Sequence, residues 1–308
     1  MKSEKDKELL EKLERIKRAI PYLEEAVKSK DIKKIEDSLG YLFYYVHRLH
    51  KKATETSTID SIQRLTNRIW WFKIKKDKKE RKYVDIKKHY SLWAKKYDTD
   101  VNLAIFLEEK HIKNFIPNIK NKEVLDFGCG TGRWAIRFAK KGAKVTAIDL
   151  TPAMINLAKK KAKKSRLNID FSIQDLTKYY PKKKFDLIIS MLVLDHIKKL
   201  EKIVKVIDKA SKIGTEVIIS NVHPETMIKY LNPKTGKTGG YILENYKTDQ
   251  FFHPLEEYVD VFLKYGFILT KTKTLSPTKE DLEIKKMRKF RGLEDKSQVL
   301  LMKFKKIQ

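Results

Sequence analysis

A single cysteine, Cys129, stands in 308 residues. That excludes an internal disulfide framework and any four-cysteine zinc site. Long apolar runs are missing too. The longest nearly apolar stretch, Leu187 to Leu194, is far too short to cross a bilayer. The opening residues, Met1 to Asp6, are charged and lead into no apolar segment, so no secretory signal is expected. These absences predict a soluble, cytoplasmic protein with no membrane partner and no metal site. Arginine is also scarce: 11 of the 69 basic residues, although the formal net charge is +29. Base-edge and bidentate phosphate recognition lean on Arg. The excess charge is also spread along the chain, with +11 of it in residues 1–120. A chain-wide Lys bias of this kind reads first as composition, and only second as a nucleic-acid footprint.

What is present falls into two parts. Residues 1–83 read as a helical N-terminal region. Leu9, Leu10, Leu13, Ile16 and Ile20 recur at helical spacing. Pro21 opens a second stretch, and Asp31 offers an N-cap to a third. A Thr/Ser-rich linker at Thr54–Ser57 precedes a further helical stretch from about Ile59 to Lys75. From residue 84 to 308 the pattern becomes that of an α/β domain. Short β-branched runs (Val124-Leu125, Val145 to Ile148, Leu187 to Ile189, Glu216 to Ile219) alternate with helical patterns of 10–15 residues. This predicts a parallel sheet covered by helices.

The chemistry concentrates at three strand ends. Val124-Leu125-Asp126-Phe127-Gly128-Cys129-Gly130-Thr131-Gly132 is a strand running into a glycine turn that opens a helix at Arg133. The dinucleotide fingerprint requires a third glycine where Arg133 stands, and no Gly-Lys-Ser/Thr follows to make a P-loop. Gly236-Lys237-Thr238 lacks its leading glycine and reads as a turn. Asp126 would repel a pyrophosphate but attract an ammonium. The second strand ends in Asp149, which can accept both hydroxyls of a ribose, with Leu150 beside it for a nucleobase face. The third, Ile169 to Ile173, ends at Asp175-Leu176, where an acid can accept from an exocyclic amine.

On these motifs, residues 84–275 resemble the class I S-adenosylmethionine (SAM) dependent methyltransferases of the broad type-11 kind. The resemblance implies a Rossmann-like, seven-stranded sheet with SAM as cofactor across the strand ends. It also implies cofactor-binding roles. Asp126, Gly128, Cys129, Gly130 and Gly132 would serve the methionine end, Asp149 and Leu150 the ribose and adenine face, and Asp175 and Leu176 the adenine. Met191, at the exit of the fourth strand, would lie near them with Leu192. The segment His89 to Asp98 is similar to the family's N-terminal lid, which makes Tyr90 and Tyr97 candidate cover residues.

For the transfer itself, the sequence disfavours two branches of nucleic-acid methylation. The sole cysteine is in the glycine loop, and Ser190-Met191-Leu192-Val193 replaces the Asn/Asp-Pro-Pro-aromatic motif of exocyclic-amine enzymes. Candidate general bases are His253, His223 and His196, since imidazole titrates near working pH. His253 is the foremost of them. The insertion Leu231 to Gln250, with Tyr241 and Tyr246, is expected to shape an acceptor pocket. The primary expectation is an enzyme that methylates a small-molecule acceptor. The alternative is an RNA (tRNA or rRNA) methyltransferase. Residues 61–96 hold 13 basic and 3 acidic residues interleaved with Trp70, Trp71, Phe72, Tyr83, Tyr90 and Trp93, a pattern that can stack bases between phosphate contacts. A third reading is a SAM-binding assembly protein without catalysis.

Overall fold

The computed structural model describes residues 82–308 other than 229–230, 233–236 and 244–245. The helical stretches expected within 1–81, including Trp70, Trp71 and Phe72, lie outside the described residues, as does Gly236. In chain order the described elements are β1 (Lys82–Tyr83), α1 (Ile86–Tyr97), α2 (Leu103–His111), β2 (Glu123–Phe127), α3 (Arg133–Lys140), β3 (Lys144–Asp149), α4 (Pro152–Lys164), β4 (Ile169–Ile173) and β5 (Phe185–Met191). There follow α5 (Leu200–Ala210), β6 (Ser211–Val222), α6 (Pro224–Ile228), β7 (Leu231–Asn232), β8 (Lys237–Leu243) and β9 (Tyr246–Phe251). The chain closes with α7 (Leu255–Lys264), β10 (Phe267–Leu275), α8 (Lys279–Glu283) and β11 (Val299–Lys306).

Seven strands form the central sheet in the order β10-β11-β6-β5-β2-β3-β4. The run from β6 to β4 is parallel, and β11 is antiparallel to both of its neighbours. Parallel strands buried on both faces need apolar side chains at successive positions, which is why these segments read as continuous runs in the sequence. Their residues divide by alternation. Val124, Leu187, Ile189 and Ile218 join the core beneath α2 and α3 through Leu107, Trp134 and Phe138. Leu125, Ile188, Val217 and Ile219 join the opposite core with Ile203 and Ile207 of α5 and Tyr258 and Phe262 of α7. The seven-stranded Rossmann-like expectation therefore holds.

The chain lays down β2, β3 and β4 in one direction and then crosses to β5 on the other side of β2. That reversal opens a crevice at the carboxyl ends of β2 and β5, the general ligand position of open α/β sheets. The insertion contributes a second sheet, order β1-β9-β8-β7, which the sequence pattern did not reveal as strands. Tyr241 and Tyr246 sit on its β8 and β9; their side chains lie outside the described residues. Among the described residues, no helix is long and apolar enough to cross a membrane.

Candidate active site

The glycine loop after β2 is built by its hydrogen bonds. Gly128 N and Cys129 N both donate to Ile148 O, at 2.8 and 2.9 Å, which pulls the turn against the end of β3. Gly128 adopts φ 92°, and a Cβ there would stand 2.6 Å from a Val193 methyl, so only glycine fits. Gly130, at φ 52°, faces open space, the close-approach position a ligand needs. Its N–H donates to Asp149 Oδ2 at 2.9 Å, while Thr151 N donates to Asp149 Oδ1 at 2.8 Å. The Asp149 carboxylate at the end of β3 is thus fixed by one backbone donor on each oxygen. Burial still pushes its pKa up, against the lowering effect of those bonds. Thr151, at the N-cap position of α4, makes no side-chain cap bond itself.

These groups border one cavity. Gly128, Gly130, Asp149, Leu150, Asp175, Leu176 and Met191 all line it. Asp175 Oδ1 accepts from Thr177 N at 2.9 Å and Thr177 Oγ1 at 2.8 Å, which sets the carboxylate's orientation. Helix α1 closes the other side with Ile86, Tyr90 and Tyr97. Its N-terminus is capped by Asp85, which accepts from Lys88 N at 3.0 Å. Its C-terminal end is tied down where Asp98 accepts from Thr131 Oγ1 of the glycine loop and Lys161 Nζ of α4, both at 2.6 Å. Trp93 packs edge-on against Tyr97 at 4.7 Å, and its Nε1 donates to Asp100 at 2.6 Å.

Residues 118–257 match the family model described as a methyltransferase domain. The ubiquinone biosynthesis O-methyltransferase of Coxiella burnetii is 35% identical over 117 residues, 37% of this chain and 49% of that protein. The enzyme of the same name from Pelagibacter ubique is 29% identical over 176 residues, 54% of this chain and 72% of that protein. A putative S-adenosylmethionine dependent methyltransferase structure from Listeria monocytogenes superposes with TM-score 0.56 at 22% identity, covering 67% of this chain and 99% of that one. Residues 118–257 carry a methyltransferase domain. The chain spans about half the length of the Coxiella relatives it matches.

Three of the residues expected at the cofactor are arranged otherwise. Asp126 is 2% exposed and does not line the cavity; its Oδ2 accepts from Ala135 N at 2.9 Å, anchoring the first turn of α3. Burial raises its pKa to about 7. Cys129 is buried in the core, and burial raises its thiol pKa well above the ordinary range, so it is neither a wall residue nor a nucleophile. Gly132 packs against Ala158 of α4, away from the wall.

The histidines reverse their expected order. His253 is buried behind the wall: its Nε2–H donates to Ile197 O at 2.7 Å and its Nδ1 lies 3.3 Å from Glu257 Oε2. It supports Ile197, which does line the cavity. His223 accepts at Nδ1 from Glu225 N and pairs at Nε2 with Thr274 Oγ1, each at 3.2 Å, at the start of α6. Neither borders the cavity, whereas His196 does. His196 Nδ1 lies 3.2 Å from Asp249 O and its Nε2 lies 3.0 Å from Tyr90 Oη. A carbonyl can only accept, so Nδ1 carries the hydrogen and Nε2 accepts from the tyrosine hydroxyl. Sequence reasoning placed Leu192 near the cofactor but passed over the rest of the apolar wall, Ile86, Val193 and Ile197. Leu192 is held at φ 60° by its N–H bond to Ser220 O, a strained non-glycine position bordering the cavity.

Proposed function

We propose that this chain is a SAM-dependent methyltransferase acting on a small-molecule acceptor. The observation that carries the reading is the meeting, in one cavity, of a backbone-anchored carboxylate at the end of β3 with the Tyr90–His196 pair. The residues fit the cofactor. Asp149 has its carboxylate edge set by Gly130 and Thr151 and keeps lone pairs for a ribose diol. Asp175 and Leu176 suit the adenine, and the open space at Gly130 admits the methionine portion. Tyr90 and Tyr97 would cover it. Bound SAM supplies a methyl group on a sulfonium, which an acceptor lone pair displaces in line.

The protein's task is then positioning and proton removal. Tyr90 gives its hydrogen to His196 Nε2, so its oxygen is free to accept from an acceptor O–H or N–H in the cavity. Burial raises the Tyr90 phenol well above its ordinary pKa, so it relays a proton and does not store negative charge. His196, braced at Nδ1 by the Asp249 carbonyl of β9, receives the proton.

Likeness to the ubiquinone biosynthesis O-methyltransferases favours an oxygen acceptor on a small metabolite. The reading as an RNA enzyme loses support at two of its aromatics. Trp93 is buried and Tyr90 faces the cavity, so neither ring is free to stack a base on an outer surface. We assign catalysis to residues from about 84 onward and place the reaction in the cytoplasm, where the charged cofactor is available. Incubation with methyl-labelled SAM against metabolite and RNA pools tests the reading: label should enter small molecules. Label confined to RNA would overturn it.

A further inference from the structure

The amino ends of the parallel strands, opposite the cavity, present a surface of one charge sign. The segments at the starts of β2 to β6 (residues 116–122, 140–143, 163–168, 180–184 and 209–215) hold twelve basic residues and no acidic one. All twelve are exposed. Lys183 and Lys212 reach back to Glu123 and Asp186, at 2.6 and 2.7 Å. The other ten make no ion pair among the described residues. A lysine-rich composition alone would load both ends of the sheet alike. At the carboxyl ends, residues 128–132, 150–151, 174–177 and 192–199 hold two lysines balanced by two aspartates. Helix dipoles account for cations in the last turns of α3, α4 and α5, but not for Lys120, Lys122 or Lys182.

The two most exposed large apolar side chains of the described residues stand at this same end. Tyr180 is 75% exposed and Ile213 is 74% exposed. They sit at the starts of neighbouring strands, since β5 and β6 pair from Phe185 and Ser211 onward. Lys209 Nζ lies 5.8 Å from the Tyr180 ring centroid, and Lys184 Nζ donates to Lys209 O at 2.9 Å, which ties the two starts together. Thr215 Oγ1 donates to Phe185 O at 2.6 Å and accepts from Lys212 N at 2.9 Å, so the bend that carries Ile213 is braced. An aromatic ring and a branched aliphatic are thus held out in water, where they add nothing to the core.

The combination selects the partner. Lysine ammonium groups are point charges that suit a diffuse anionic surface. The planar fork of arginine, which suits the discrete phosphates of nucleic acid, is present only at Arg166. Tyrosine joins an apolar ring to a polar tip, the form favoured at the water–lipid boundary, and isoleucine has nothing to offer a phosphate or a base edge. We propose that this end of the domain docks on an anionic membrane surface. Tyr180 and Ile213 enter the headgroup layer, and the lysines around them face the lipid phosphates. The contact is peripheral and needs no spanning helix. It leaves the cavity, at the opposite ends of the strands, facing water. It also replaces the expectation of no membrane partner.

The test is co-sedimentation of the full chain, near physiological salt, with vesicles of phosphatidylcholine alone or mixed with phosphatidylglycerol. The protein should sediment with the mixed vesicles and stay in solution with the neutral ones. The triple variant Lys120→Glu, Lys141→Glu, Lys182→Glu should bind about a hundredfold more weakly or worse, at roughly fivefold per lysine near the surface. The double variant Tyr180→Ser, Ile213→Ser should bind about tenfold more weakly. Reversal of Lys279, Lys285 and Lys286, exposed in the connection between β10 and β11 at the cavity end, should weaken binding several-fold at most. Melting temperature and affinity for S-adenosylhomocysteine (SAH) should hold in all three variants, because none of these residues borders the cavity or joins the core. No binding to the mixed vesicles, or equal binding to the neutral ones, would overturn the proposal. So would full binding by either variant of the amino-end surface, or an equal loss in the cavity-end reversal. A tRNA pool that binds at the same salt, and is lost on reversal of Lys120, Lys141 and Lys182 but not in the Tyr180, Ile213 variant, would assign the surface to nucleic acid instead.

Discussion

Asp126→Asn should stabilise the protein, and do so only above about pH 4. The native carboxyl is 2% exposed and burial raises its pKa from 3.8 to about 7. Ionising it in the fold therefore costs on the order of 4 kcal/mol more than in the open chain. The folded pKa lies above the unfolded one, so between these values the folded state holds the proton more firmly. Stability thus falls as pH rises through that window, and the full cost applies above about 7. Asparagine keeps an oxygen to accept from Ala135 N but has no charge to bury. Its buried NH2 offsets part of the benefit, leaving an expected gain of about 1–3 kcal/mol at pH 8 and close to nothing at pH 4. At roughly 2–4 °C per kcal/mol, that is a rise of several degrees in melting temperature at pH 8. Thermal melts of both proteins across pH 4–8 provide the assay. A pH-independent difference, or a variant less stable at pH 8, would refute the reasoning. SAH affinity should stay within about threefold, because Asp126 anchors α3 and does not border the cavity; a direct ammonium contact would cost tenfold or more.

Tyr90→Phe removes one hydroxyl and leaves the ring packed on Trp93 and Tyr97, so SAH binding should hold while turnover falls about 10²–10⁴-fold; unchanged turnover would remove the relay. Gly128→Ala forces a Cβ to within 2.6 Å of Val193 at φ 92° and should cost about 1–3 kcal/mol in thermal melts, with partial recovery when Val193→Ala is added. Glu108→Ala strips a fully buried carboxylate from Arg133 (2.7 Å), Trp134 Nε1 (2.8 Å) and Ser220 Oγ, and denaturant titration should register a loss of about 3–5 kcal/mol.

The strand-end part of the cavity was legible because its residues are fixed by local rules. A strand ending in an acid, then a glycine turn or a helix start, places Asp149, Leu150, Asp175 and Leu176 by chain geometry alone, and the cavity contains all of them. Asp126 obeys the same spacing, but its carboxylate turns inward to Ala135, a choice made by α3 packing and invisible to spacing. The Tyr90–His196 part of the cavity was less legible because it is assembled from distant segments. Tyr90 and His196 are 106 residues apart, and His196 is braced by a carbonyl 53 residues further on. His253-Pro254 and His223-Pro224 drew attention as local pairs, yet one supports Ile197 from behind and the other opens α6. The second sheet escaped notice because its strands are short and polar, with Gly239-Gly240 within β8.

The central claim is that the strand-end carboxylates and glycine loop hold the methyl donor, and SAH titration calorimetry on the wild type and Asp149→Ala tests it most directly. The wild type should bind SAH at one site per chain. The variant should bind roughly 1–3 kcal/mol more weakly, the loss of charge-assisted hydrogen bonds to a diol, with its melting curve retained. Equal affinity in the two proteins, or no binding by the wild type, would contradict the account.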